Sequence, residues 1–530
     1  MNKIYVFLML CIAFGCNNET KKNVNLVKKP IPAYVPKITV DGNPIKIDTA
    51  LITRYNNKLL QEFYKSTDYY TVWQSKKSRK TILDQLKRSE EEGLKPTDYN
   101  IKYLVNFENK IDKLNYLELS KYDVLLTYSL QLYISNLSHG KLNPIKLYTD
   151  WELTENKIDI NKTLINLLKT DSLFYKIELL KPNHIVYKRL KKALIIINTY
   201  PKEEFTKIEI VNKIVLNDTN PSIIDIKKRL IYWKDMKPKD SLSLIYNNET
   251  LEAVKKFQIR HGLSADGVIG KGTIESLNFS KNQRKEQIIA NLERWKWFPK
   301  KMENEYLIVN IPDYKLSVVK GIDTIRTHKV IVGRAKRKTP VLSSKLTHVI
   351  FNPTWTVPPT ILKEDVIPAI SRNRNYLAQT NIKIYDNNGN IVPASSWKLS
   401  NAKSYRYVQS PGTFNSLGMV KLIFPNRFSV YLHDTNHRDF FEKQMRSLSS
   451  GCVRVNHPLE LTEYLIGDAT NWNLEKITET LQNEKTKQLN LKKEVFIHIL
   501  YWTAWSEKNT LIFRDDIYNL DAELYDKLGK

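Results

Sequence analysis

The sequence predicts a multidomain α+β protein: a helical first part, a small three-helix module, and a mainly β unit carrying an insertion. Three observations predict it. The chain has 530 residues, and at ~150 residues per domain that length divides into two to four units. Between residues 46 and 277 apolar positions recur at three-to-four spacing, the period of helices that bury one face. From Tyr306 onward the apolar runs become short, β-branched and alternating, bounded by Pro312-Asp313 and Gly321 turns, as strands are.

Composition narrows the function classes. Hydrophobic residues make up 42% and charged ones 26%, close to the globular average, which excludes global disorder. Lys and Arg number 83 against 56 Asp and Glu, a formal charge of +27. Such a balance suits a nucleic acid, an anionic membrane or an acidic polymer. No Arg-rich arm or RNP-like aromatic strand is present, so no nucleic-acid partner is expected. Lys, Asn and Ile are abundant even in solvent-facing stretches, and an AT-rich genome is sufficient to explain the charge. Three cysteines exclude a disulfide-rich scaffold and any cysteine-built zinc site. There is no His-Glu-x-x-His, so neither metal nor cofactor is expected.

Residues 1–16 read as a signal peptide: Met-Asn-Lys, an apolar run over 4–14, then Gly15-Cys16. The run is far short of the ~20 residues that span a bilayer. Ala13-Phe14-Gly15-Cys16 resembles the bacterial lipobox, although Leu is more usual three residues before the Cys. Cys16 is therefore the expected lipidation site, with ordinary secretion and a chance Cys as the alternative. Processing would discard Cys11 and leave Cys452 as the only thiol, so no disulfide is expected within the mature chain. Residues 17–45 are polar and Pro-punctuated, as a flexible tether is.

Residues 46–216 read as a helical scaffold without a chemical motif. Asn217-Asp218-Thr219-Asn220-Pro221 opens the next unit, 217–280, with helices expected at about 222–232, 248–260 and 271–277. Gly262 sits where a helix C′ glycine belongs, and His261 is expected at a surface turn. Residues 281–304 form a connecting helix and linker. Strands are expected at 306–311, 315–319, 328–332, 348–351, 420–424, 429–432 and 495–502. Within this unit, 361–410 is more helical and charged, an insertion placed like a lid. Residues 469–530 are expected to pack on the β unit.

The one mature thiol lies in Ser449-Ser450-Gly451-Cys452-Val453-Arg454-Val455-Asn456, and His433 lies 19 residues upstream in Tyr431-Leu432-His433-Asp434-Thr435. A thiol of pKa ~8.5 is only a few per cent thiolate at neutral pH, and an imidazole can take its proton. Gly451 lets substrate approach the backbone and can help aim the Cys452 N–H at a developing oxyanion. On a strand, Tyr431 shares a face with His433, so its hydroxyl is a second oxyanion donor. Arg454 shares the face of Cys452 and can hold a carboxylate. Asp434 points to the opposite face from His433, so a backbone carbonyl is the better partner for His433 Nδ1. His437 and His457 are expected in surface or supporting roles. The alternative is a structural Cys beside a core His; Gly before the Cys and Arg after it are odd choices for an apolar core.

Two resemblances follow. Ala253-Val254-Lys255-Lys256-Phe257-Gln258, His261-Gly262-Leu263, Asp266-Gly267-Val268-Ile269-Gly270 and Thr273 resemble the three-helix peptidoglycan-binding domain family. Residues 305–468 resemble the YkuD-type L,D-transpeptidase catalytic domain, whose signature is a His followed by Ser/Thr-x-Gly-Cys-x-Arg. Ser450 stands where His is commoner, and Ser-Ser-Gly-Cys-Val-Arg-Val is characteristic of the large YcbB-like branch. Further matches to that branch are Asn291-Leu292-Glu293-Arg294-Trp295-Lys296-Trp297, Val332-Gly333-Arg334, Thr339-Pro340-Val341, Phe351-Asn352-Pro353-Thr354-Trp355 and Tyr501-Trp502-Thr503-Ala504-Trp505. Gly93-Leu94-Lys95-Pro96-Thr97-Asp98-Tyr99 resembles its N-terminal scaffold domain.

The resemblance implies Cys452 as nucleophile and His433 as proton acceptor, then donor. It implies Tyr431 and the Cys452 N–H as the oxyanion hole, and Ser450, Gly451, Arg454 and Asn456 as shaping the site. Trp355 would line the substrate groove, or simply pack in the core, and 361–410 would cap the donor. The implied function is a periplasm-facing, lipid-anchored enzyme that forms 3→3 peptidoglycan crosslinks through a Cys thioester, without cofactor. Its partners would be tetrapeptide donor stems and diamino-acid acceptor amines, and carbapenem-type β-lactams would inhibit it. Asn17 after the lipidated Cys points toward the outer membrane. The alternatives are L,D-carboxypeptidase, D-amino-acid exchange or wall-protein attachment and release by the same acyl-enzyme, and a non-catalytic wall-binding lipoprotein.

Overall fold

The computed structural model describes residues 43–153, 157–169, 172–468 and 470–529. The signal 1–16, Cys16 and nearly all of the 17–45 tether lie outside the described residues.

The scaffold is organised around the helix Tyr116–His139, whose N-terminus is closed by a capping box between Asn115 and Glu118. Val124, Leu126, Leu130, Tyr133, Ile134 and Leu137 on this helix are buried, and the helices Lys58–Ser66 and Lys76–Lys87 pack around it. Gly140 ends it at φ +79°, where a Cβ would overlap the Trp297 indole and the Glu293 carboxylate. The scaffold is thereby held close to the helix Lys281–Trp297. The expected 46–216 unit does not share one core. Residues 148–151 and 186–214 belong to the core of the β unit and the module, because the helix Ile185–Asn198 packs on Lys281–Trp297.

The module has helices Ser222–Tyr232, Asn248–Arg260 and Lys271–Leu277, as expected. Gly262, at φ +70°, donates to the Ile259 carbonyl and Leu263 to that of Gln258, the double bond of a glycine-terminated helix. The expectation for His261 is corrected: it is buried, stacked between Phe257 and Phe513. A hairpin from the far C-terminal region covers it.

The strands run in chain order as follows. β1 (Trp151–Glu152) comes from the scaffold. Then come β2 (Glu305–Asn310), β3 (Lys315–Lys320), β4 (Asp323–Gly333), β5 (Val341–Lys345) and β6 (His348–Phe351). β7 (Trp355–Thr356) leads into the 361–410 insertion, which holds β8 (Ile382–Tyr385), β9 (Ile391–Val392) and β10 (Arg406–Gln409). β11 (Val420–Ile423), β12 (Leu432–His433), β13 (Ser447–Ser449), β14 (Val453–Val455), β15 (Lys487–Asn490) and β16 (Phe496–Leu500) follow. The hairpin β17 (Ala504–Glu507) and β18 (Thr510–Phe513) comes last.

The main sheet has the order β1-β5-β16-β2-β3-β4-β14-β12-β11-β6-β15, with β13 beside β4. The 469–530 segment therefore does more than pack on this unit: β16 lies inside the sheet, between β2 and β5. The insertion, expected to be more helical, also contributes three strands that join β7 in a separate four-stranded sheet, β7-β10-β8-β9. Val366, Ile370, Ile384, Trp397 and Tyr407 form a separate small core beneath it. Among the described residues no helix is long and apolar enough to cross a membrane.

Candidate active site

Three neighbouring strands place the chemistry. β11 and β12 run antiparallel with Lys421 opposite His433, and β12 and β14 run parallel with His433 opposite Arg454. Residues in register on adjacent strands share a face, so Lys421, His433 and Arg454 form a row. Tyr431 and Cys452 stand two residues before His433 and Arg454 and occupy the next row. The Tyr431 ring meets the His433 ring edge-on at 5.5 Å between centroids. The N–H and the hydroxyl of Tyr431 lie near enough to the Cys452 sulfur to favour its thiolate, and the Trp355 indole lies near enough to the Tyr431 hydroxyl to act on it. Trp355, which also packs on the core of the insertion, joins the insertion to the thiol.

Burial pushes the half-buried Cys452 thiol above the ordinary range, against the pull of Tyr431, Lys421 and Arg454. His433 is buried and pushed down to about 3, first by desolvation and then by the Arg454 charge, with Lys421 adding to it. The Leu417 and Asp434 main chains favour its protonated form, although His433 Nδ1 has no hydrogen bond of ordinary geometry. At neutral pH both groups rest uncharged, a thiol and a neutral imidazole.

The Cys452 loop is tightly fixed. Gly451 adopts φ +119°, a region costly to residues with a Cβ. Ser449 Oγ accepts from the Gly451 N–H at 3.1 Å and donates to the Cys452 carbonyl at 2.6 Å. Val453 N–H donates to the Tyr431 carbonyl at 3.1 Å. Thr339 Oγ1 donates to the Gly451 carbonyl at 2.8 Å. Ser450 Oγ faces the insertion and accepts from Arg337 at 2.9 Å. Arg337 also pairs with Glu364 and Asp365 of the insertion.

Of the residues singled out from sequence, Cys452, His433, Tyr431, Gly451, Arg454, Ser450 and Trp355 converge here. Asn456 does not: its Oδ1 accepts from the His457 N–H, and its main chain bonds Lys329 and His328. His437 is exposed and stacks on Phe440, and His457 is exposed beside Glu460. Asp434 faces away from His433: its Oδ2 accepts from Met419 N–H and Arg438, and it fills the space a Gly418 Cβ would need. Among the described residues no group of His, Cys, Asp or Glu could hold a metal ion. Lys421, Thr339 and Arg337 were not singled out as site residues. Only Thr339 carried a signal, through the Thr339-Pro340-Val341 match.

Comparisons with known proteins follow the same division. Residues 58–194 match the family "Scaffold domain", 219–277 the "Putative peptidoglycan binding domain" and 304–473 the "L,D-transpeptidase catalytic domain". A Haemophilus influenzae protein named "Putative L,D-transpeptidase" is 34% identical over 291 residues, 53% of this chain and 58% of that protein. The alignment thus spans little more than half of the relative. The crystal structure of an L,D-transpeptidase from Xylanimonas cellulosilytica aligns at 12% identity and TM-score 0.18, covering 55% of this chain and 100% of its own. One from Stackebrandtia nassauensis aligns at 14% and 0.21, covering 56% and 97%.

Proposed function

We propose, on the premise that residues 304–473 are an L,D-transpeptidase catalytic domain, that this protein is a peptidoglycan L,D-transpeptidase working through a Cys452 thioester. The observation that carries the reading is the convergence of one thiol, two Tyr431 donors and the neutral His433 on adjacent strands, ringed by Lys421 and Arg454.

In the first half-reaction Cys452 attacks the carbonyl of the third stem residue as its proton passes to His433. The Cys452 N–H and the Tyr431 hydroxyl stabilise the oxyanion. The C–N bond to the terminal D-Ala breaks, and that amine leaves with the proton from His433. In the second, the side-chain amine of another stem attacks the thioester, His433 takes its proton, and the thiolate departs and is reprotonated. The product is a 3→3 crosslink. Lys421 and Arg454 suit a donor rich in carboxylates.

The match over 219–277 to a peptidoglycan-binding family supports a wall polymer as substrate and a cell-envelope setting. Lipidation at Cys16 would tether the enzyme to the membrane, with outer-membrane sorting read from Asn17. Intact-protein mass after incubation with a tetrapeptide-bearing muropeptide or a carbapenem tests the reading. The wild type gains the acyl mass and Cys452→Ala does not; no adduct on the wild type would sink it. Free tripeptide as the sole product would make water, not an amine, the acceptor.

A further inference from the structure

The Thr339-Pro340 pair and the C-terminal Tyr518 have no role in the chemistry above, yet both lead to the peptide unit beside the nucleophile. Tyr518 is buried; its hydroxyl donates to the Gly333 carbonyl at 2.6 Å and accepts from the Thr339 N–H at 3.0 Å. That clamp closes the 333–339 loop. Thr339, only 1% exposed, accepts the Gly333 N–H on Oγ1 at 2.8 Å. The hydroxyl proton is therefore directed at its remaining neighbour, the Gly451 carbonyl, also 2.8 Å away.

A peptide bond is planar and trans, so the Gly451 carbonyl and the Cys452 N–H are two ends of one rigid unit and point in opposite directions. Fixing one aims the other. The loop needs this, because Gly451 has no Cβ to restrain rotation of that unit. Ser449 Oγ fixes the units on either side, through the Gly451 N–H and the Cys452 carbonyl, but not the unit between them. With Gly451 N–H and C=O, Cys452 C=O and Val453 N–H all engaged, the Cys452 N–H alone among these groups has no acceptor among the described residues.

We infer that Thr339 is a positioning residue that aims the Cys452 N–H at the oxyanion, and that Tyr518 holds Thr339 in place from the C-terminal segment. The inference rests on Cys452 being the acylating nucleophile. It makes the last part of the chain a working component of the oxyanion hole.

The test compares two reactions of one thiol in the full chain. Acylation by a carbapenem or a tetrapeptide muropeptide passes through an oxyanion; alkylation by iodoacetamide does not. In Thr339→Val, acylation falls about 10- to 100-fold, part of the cost of losing an oxyanion donor, while alkylation stays within about twofold of the wild type. Thr339→Ser restores most of the acylation rate, and Tyr518→Phe falls between them. Equal loss of both reactions, or no rescue by Ser, overturns the inference in favour of a purely structural Thr339. So does an unchanged acylation rate in Thr339→Val. An absent adduct on the wild type overturns the functional reading itself and this inference with it, and is told apart by needing no variant.

Discussion

The Lys421 ammonium lies 3.8 Å from the centroid of the Tyr431 ring, on the strand beside the one that carries His433. It forms no ion pair with a carboxylate among the described residues, and burial lowers its own pKa. Cys452 and His433 both feel its charge. A fixed cation here favours the thiolate and keeps the imidazole neutral, both of which the proposed attack requires.

Lys421→Met removes that cation and keeps an unbranched side chain one atom shorter. The thiol then titrates higher, since its anion loses support, and the pH profile of alkylation moves upward. His433 moves upward as well. Lys421→Arg keeps the profile near that of the wild type. An unshifted profile in Lys421→Met would show that the ammonium only packs against the ring.

Arg337 ties two insertion carboxylates to Ser450, two places before Cys452. Glu364 and Asp365 are partly exposed, their side chains at 54% and 39%, so solvent screening limits the pairing to about 1 kcal/mol. Arg337→Ala should raise KM for the donor about fivefold and leave kcat nearly unchanged. Limited proteolysis within 361–410 should quicken in parallel. A fall in kcat with KM unchanged would place Arg337 in the chemistry instead.

Three histidines, His433 and His261 buried and His184 half-buried, make the fold sensitive to acid. Desolvation holds His433 down to about 3, His184 to about 4 and His261 well below its ordinary value. Below about pH 6.5 the unfolded chain binds protons that the folded chain refuses. Stability from these groups is intact above that pH and falls as pH drops toward the folded values. The thermal midpoint should hold steady above pH 7 and decline between about pH 6.5 and 4. His261→Phe, which keeps an aromatic ring between Phe257 and Phe513, should shallow that decline; an unchanged slope would mean that His261 does not titrate on unfolding.

The local part of this architecture was legible in the sequence. The module's helices fall at the expected residues because their caps and apolar faces are written within each segment. Cys452, Arg454, Tyr431 and His433 could be paired because alternation on a strand is a local rule. Register between distant strands is not. Lys421 meets His433 only through the β11–β12 pairing, and Val420-Lys421-Leu422 reads like any amphipathic strand. Thr339 reaches Gly451 across 112 residues. His261 looked like a turn residue because Phe513, which covers it, lies some 250 positions later. The insertion read as helical because its strands are two to four residues long, too short for a two-residue period to register.

The place of β16 bears on how the chain folds as it is made. It pairs with β2 through Ile497 and Leu307, residues 190 positions apart, and with β5 on its other side. Contacts of that separation form late, and until β16 arrives β2 and β5 each present an open edge. In a chain that emerges N-terminus first, Cys452 leaves before the strand that finishes its sheet and before Tyr518 can secure the loop beside it. A half-delivered chain carries the thiol without the frame that fixes the loop around it. The end of synthesis thus completes the site: the same residues that close the sheet bring the loop around Cys452 into register.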